Sequence, residues 1–145
     1  MDDDTADSFL GTSPSPVAPL APSRHISVWI AATPDAVYAF ASDPAELPRW
    51  AAGLADPALS DADVDFAPLN EFGVLDHVVR LPSGAAVYNP MRVIPAGQGE
   101  TRCEVVFTLR RRPAVTDAEF EADAAAVTAD LATLRRLVED QSSDD

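Results

Sequence analysis

Lysine is missing from this chain. Its ten basic residues are all arginine, so chemistry that runs through a lysine Schiff base is excluded. Cysteine occurs once, as Cys103, which rules out an internal disulfide and any cysteine-cluster metal site. Basic charge is scarce altogether: 10 basic residues against 24 acidic ones leave a formal charge of −14. A surface of that sign repels phosphate, so nucleic acid is excluded as a partner and anionic membrane surfaces are disfavoured. No apolar run approaches the ~18 residues that span a bilayer. The opening Met-Asp-Asp-Asp lacks the basic start and apolar stretch of a signal peptide, so the cytoplasm is the expected compartment. His25 and His77 are the only histidines, far apart in sequence, and give a histidine-based metal centre little support. No glycine-rich phosphate loop is present, since Gly97 and Gly99 fall in an ordinary strand connection, and nothing resembles a nucleophile elbow. No metal and no cofactor is implied.

What is present is a long supply of apolar residues, 47% of 145, enough for one domain with a real core. Arginine without lysine, together with abundant alanine, is the bias of GC-rich, actinobacterial-like coding. Residues 1–23 read as a disordered tail, acidic at its start and carrying Pro14, Pro16, Pro19 and Pro22, a composition that cannot pack a core. The folded domain is expected over 24–140, with 141–145 a polar, disordered end.

Within the domain, Ile26, Val28 and Ile30 alternate with Ser27, Trp29 and Ala31, a strand pattern. Thr33-Pro34 supplies an N-cap and a proline at the first helical position. The helix it opens carries Val37, Phe40 and Ala41 on one face and ends at Asp43-Pro44. A short helical piece with Leu47, Trp50 and Leu54 follows. Gly73–Leu81, Ala85–Ile94 and Arg102–Arg110 alternate with period two, after a weaker strand at Val64–Leu69. Thr116-Asp117-Ala118-Glu119 is a capping box. It opens a helix over about Asp117–Glu139 whose buried stripe runs through Phe120, Ala124, Val127, Leu131, Leu134 and Val138.

The link Pro82-Ser83-Gly84 fixes a register. Proline suits the first corner of a type I turn, and glycine the left-handed position of a three-residue hairpin loop. Leu81 then faces Ala85, and stepping outward pairs Val79 with Val87, His77 with Asn89 and Leu75 with Met91. Asp76, Arg80, Tyr88 and Arg92 fall on the other face. In the following strand, placing Val93 opposite Cys103 sets Met91 by Val105, Asn89 by Phe107 and Arg92 by Glu104, apolar pairs inside and opposite charges outside. Asp76 is expected to face water, and so cannot orient its neighbour His77.

The inner face is apolar but for His77 and Asn89, side by side. An unpaired buried polar group costs about 1–3 kcal/mol, so the two bond each other, water or a ligand. They are either a satisfied core pair or the polar contacts of a pocket. Met91, Cys103, Phe107, Trp50 and Phe120 are the other residues placed to face a cavity, each with plain core as its alternative. The run Arg110-Arg111-Arg112 is either a solvated strand end or a contact for an acidic partner.

The order of strand, helix, short helix, antiparallel strands and long C-terminal helix resembles the α+β helix-grip fold of the START-like (SRPBCC) superfamily. Ile26-Ser27-Val28-Trp29-Ile30-Ala31-Ala32-Thr33-Pro34-Asp35-Ala36-Val37-Tyr38-Ala39-Phe40 looks like that family's opening. Asp43-Pro44 to Leu47-Pro48-Arg49-Trp50 resembles its continuation. The resemblance implies a curved antiparallel sheet wrapped around the C-terminal helix. It does not imply one activity, because members include lipid carriers, cyclases and hydrolase-like enzymes. Family members usually add a β-hairpin before the strand near Val64, where this chain has only the short acidic loop Ala55–Asp63. An open sheet edge is therefore expected, which a homodimer or a partner strand would cover. The expected function is binding of a small hydrophobic ligand, lipid or polyketide-like. The alternative is a cyclase/dehydratase-like enzyme with His77 as its acid/base residue.

Overall fold

The computed structural model describes residues 22–51, 63–99 and 101–143. Strand β1 (Ser23–Ile30) leads into helix α1 (Pro34–Ala41) and the short helix α2 (Leu47–Trp50). Five strands follow: β2 (Asp63–Phe66), β3 (His77–Arg80), β4 (Ala86–Asn89), β5 (Met91–Pro95) and β6 (Cys103–Arg110). Helix α3 (Asp117–Ser143) closes the chain. The proposed tail lies almost wholly outside the described residues, and β1 begins at its final position, Ser23.

Local chemistry explains where the helices begin. Thr33 Oγ1 accepts from the Ala36 N–H at 3.1 Å, satisfying a donor that the first turn of α1 leaves free. At the start of α3 the capping box closes reciprocally. The Glu119 N–H donates to Thr116 Oγ1 at 3.1 Å, and the Thr116 N–H to Glu119 Oε1 at 2.9 Å. The expected stripe of α3 is buried at Phe120, Ala124, Leu131, Leu134 and Val138, and Val127 is half-buried. The helix also takes in Gln141–Ser143, which composition assigned to a disordered end. With Leu134 and Val138 locked into the core, propagating a helix by one more turn needs no new nucleus.

The described strands form two three-stranded antiparallel sheets, β1-β6-β5 and β2-β3-β4, bridged by the pair Val74 and Arg92. The change of sheet occurs at Pro90. Ala85–Ile94 reads as one strand by alternation, but proline has no N–H for a ladder, and the chain passes there from β4 in one sheet to β5 in the other. Pairing with the preceding segment survives the break: the Leu75 N–H donates to Met91 O and the Val93 N–H to Gly73 O, both at 2.8 Å. At Gly73 that approach is so close that a Cβ would stand 2.3 Å from Val93 O, and φ is +72°. Only glycine meets both conditions.

The Pro82-Ser83-Gly84 turn forms as the sequence implies. The Leu81 N–H donates to Ala85 O at 2.8 Å, and Gly84 has φ of 93°. His77 pairs with Asn89 and Val79 with Val87. The next register is a correction. Val93 lies opposite Val105, not Cys103, and Met91 opposite Phe107, so the expected pairing is displaced by two residues. An even displacement preserves both faces, which is why alternation could not detect it. Arg92 consequently stands opposite Val106, and the expected Arg92–Glu104 pair is not made.

Arg92 turns instead to Asp76, which is a second correction. Asp76 lies on the outer face as expected, but it is buried. Its carboxylate accepts from Tyr88 Oη at 2.7 Å, the Met91 N–H at 2.9 Å, and Arg92 Nε and Nη2 at 3.0 Å each. These partners lie on both sides of Pro90, so one side chain ties together the two halves of the broken strand. They also remove Asp76 from water. Held by so many donors, Arg92 foremost, the carboxyl falls from its ordinary 3.8 to about 2.

Candidate functional site

The inner faces of β3 and β4, the end of α2 and the middle of α3 border a half-open cavity of about 200 Å³. Leu47, Trp50 and Ala51 form one wall, and Val64, Val79 and Phe107 the sheet side. Val127, Asp130 and Leu131 of α3 form the opposite side, while His77 and Asn89 sit together on the sheet. A shallower groove of about 360 Å³ adjoins it, sharing Val79, Asn89, Phe107 and Val127 and carrying Arg112 and Asp123. The chain between Ala51 and Asp63, where a hairpin was expected to be missing and a sheet edge open, lies outside the described residues.

His77 is positioned by backbone and by burial. Its Nδ1 lies 2.9 Å from Leu75 O. A carbonyl can only accept, so Nδ1 carries the proton and Nε2 is left with its lone pair. Asn89 Nδ2 approaches Nε2 at 3.5 Å, the outer limit of a hydrogen bond. Phe66 and Phe107 flank the ring, with centroids 5.1 and 6.1 Å away. Burial in these surroundings pushes the imidazole below its ordinary 6.5, against smaller upward effects of the Leu75 carbonyl and the Asp76 charge. The ring is therefore neutral at pH 7. Asp76 spends its oxygens on Tyr88, Met91 and Arg92 and makes no hydrogen bond to His77, so the neighbours in sequence form no catalytic pair.

Trp50, a residue of the same wall, buries an uncompensated group. Its side chain is 4% exposed, and Nε1 finds no hydrogen-bond partner. Buried donors are nearly always satisfied, since leaving one unpaired costs about 1–3 kcal/mol.

Of the seven residues singled out from sequence, His77, Asn89, Phe107 and Trp50 are brought together in the cavity. Met91 and Cys103 share the inner face but are sealed in the core with no exposure. Burial pushes the Cys103 thiol up to about 11, far from the thiolate a nucleophile requires. Phe120 packs near the start of α3 with the Arg24 guanidinium 5.2 Å above its ring, and it does not line the cavity. Sequence reading passed over Val64, Val79 and Asp130. Val64 and Val79 sit opposite each other across β2 and β3, and Val79 was legible as a member of the same face as His77. Asp130 was hidden because a search for an apolar stripe skips an acidic residue on its border. The run Arg110-Arg111-Arg112 is largely engaged locally. Arg110 Nε donates to Ser23 Oγ at 3.2 Å and Arg111 Nε to Val115 O at 2.8 Å.

Among the described residues no helix is long and apolar enough to cross a membrane. No protein-family model and no curated protein matches the chain. Solved structures do. A truncated norcoclaurine synthase from Thalictrum flavum superposes with a TM-score of 0.54 at 13% identity, covering 86% of this chain and 97% of that one. A conserved protein of unknown function from Enterococcus faecalis gives 0.53 at 12% identity, covering 96% and 84%. At such identities the likeness is one of fold, and it fits a helix-grip architecture.

Proposed function

We propose that this domain binds a compact, mostly apolar small molecule between the β2-β3-β4 sheet and α3. The observation that carries the reading is the cavity itself: apolar walls from three directions, interrupted on the sheet by His77 and Asn89. Small-molecule sites have this composition, apolar with a few placed polar groups. Its volume of about 200 Å³ lies below the ~300–1,000 Å³ common for drug-sized ligands. A molecule of one or two rings suits that space. A lipid or polyketide-like chain would have to run out into the adjoining groove.

The alternative is an enzyme that uses His77 as a general base. The neutral imidazole, whose Nε2 keeps its lone pair and meets only the distant Asn89 Nδ2 at 3.5 Å, favours it. Binding is preferred because His77 has no carboxylate to orient it, and Asp130 is the other titratable side chain on the walls.

A melting-shift screen of one- and two-ring compounds tests the reading. A ligand at 100 times its dissociation constant stabilises by ~2.7 kcal/mol. Hits should weaken when Phe107→Ala or His77→Ala alters the walls. A screen without hits, or hits indifferent to both substitutions, would overturn the binding claim. Turnover of a hit, abolished by His77→Ala while binding persists, would establish the enzyme instead.

A further inference from the structure

The sign of charge on the cavity walls is one-sided. Among the described residues that line it, Asp130 is the one acidic residue, and no arginine stands with it. Val127, Asp130 and Leu131 are spaced by three and four along α3, so they share the face of the helix that borders the cavity. Asp130 is half-buried there, between the half-buried Val127 and the buried Leu131. A carboxylate accepts at about four sites, so Asp130 can hold a ligand's donor alongside a partner within the chain. Across from it on the sheet, Asn89 is uncharged and His77 is kept neutral at pH 7 by burial, so neither repels a cation. The whole chain adds to this, because a formal charge of −14 concentrates cations near the surface and depletes anions. The cavity is half-open, so an ammonium in it keeps part of its water and escapes most of the cost of burying a charge. A carboxylate or phosphate would lose water, meet no arginine and stand beside a like charge.

We infer, building on the small-ligand reading above, that the natural occupant is a compact ring-sized molecule bearing a protonated amine. The ammonium donates to the Asp130 carboxylate at the α3 side. The apolar remainder fills the space against Val79, Phe107 and Leu131.

Four probes of similar size separate the possibilities by titration calorimetry on the full chain at pH 7 and low salt: benzylamine, benzyl alcohol, toluene and benzoate. A charge-assisted hydrogen bond is about twice as strong as a neutral one, so benzylamine should bind about tenfold tighter than benzyl alcohol. Benzoate should bind more weakly than toluene. Asp130→Asn should bring benzylamine level with benzyl alcohol. Asp140→Asn, which removes the same charge from an exposed position near the end of α3, should leave the tenfold advantage in place. The methyl resonances of Val127 and Leu131 should move with benzylamine. If Asp130→Asn fails to fold, the ranking of the four probes and these methyl shifts in the unaltered protein still decide. Benzyl alcohol or toluene binding as tightly as benzylamine would overturn the amine inference and leave the small-ligand reading standing. An advantage that survives Asp130→Asn, or benzylamine binding that leaves both methyl groups unmoved, would overturn it equally. Failure of all four probes to bind would overturn the inference and the reading together.

Discussion

Replacing Asp76 with asparagine should destabilise the domain and remove a specific part of its acid sensitivity. The carboxyl has a pKa of about 2 when folded against an ordinary 3.8, so the folded state binds its proton less readily than the unfolded state. Stability from this group is therefore complete above pH 3.8 and is lost as the pH falls towards 2. Slightly under two units at 1.36 kcal/mol each sets a ceiling of about 2.4 kcal/mol. The Asp76 side chain is 9% exposed, but that of Arg92 is 50% exposed, so solvent screens the pair and about 1–2 kcal/mol is the working figure. In Asp76→Asn the amide oxygen can still take the Met91 N–H, while the amide nitrogen faces donors from Arg92 or Tyr88. At pH 7 the total loss should be about 2–4 kcal/mol. Urea unfolding of both proteins between pH 7 and pH 2 measures this. Acid also relieves the mutual repulsion of a −14 chain, a contribution common to both proteins that cancels in their difference. The gap between them should narrow by about 1–2 kcal/mol from pH 5 to pH 2. A gap constant across that range would refute the assigned role of the Asp76 charge.

Three other substitutions or treatments test the packing. Leu131→Ala, at a side chain 1% exposed on the border of cavity and core, should cost about 2–5 kcal/mol by chemical denaturation. An unchanged midpoint would place the residue outside the core. Gly73→Ala puts a Cβ against Val93 O at a positive φ, so it should destabilise by at least about 1–3 kcal/mol, where a mere loss of backbone freedom in the unfolded chain would stabilise. Cys103 is buried, with its thiol raised to about 11, so a thiol reagent at pH 8 should label it only at the rate of unfolding. Rapid labelling under native conditions would show that the inner face is open at β6.

The parts of the fold legible in the sequence were those set by neighbours along the chain. The capping box at Thr116 and Glu119, the α3 stripe and the Pro82-Ser83-Gly84 turn are all local, and all formed. From that turn the pairing of His77 with Asn89 followed by counting outward. What failed depended on information that a period of two does not hold. The β5–β6 ladder is displaced by two residues, a shift that leaves every face as it was. Pro90 was visible as a residue without a donor, yet alternation on either side concealed that the chain changes sheets there. Asp76 looked solvated because its partners, Tyr88 and Arg92, lie 12 and 16 residues away. For the site, alternation gave the side of the sheet and not the depth along it. Met91 and Cys103 point the same way as Asn89 and Phe107 but lie where the core is filled. The unpaired Trp50 N–H had no sequence signal, since it concerns what surrounds an atom and not where its residue falls in a pattern.

The central claim is that the space between sheet and α3 receives a small ring-sized molecule. Methyl-labelled protein titrated with toluene tests it directly. The account predicts saturable shifts at Leu47, Val64, Val79, Val127 and Leu131, with Val37 and Val138, buried in the core away from the cavity, unmoved. Shifts scattered over the exposed side chains of Leu69 and Ile94, or none at all up to the solubility of toluene, would contradict it.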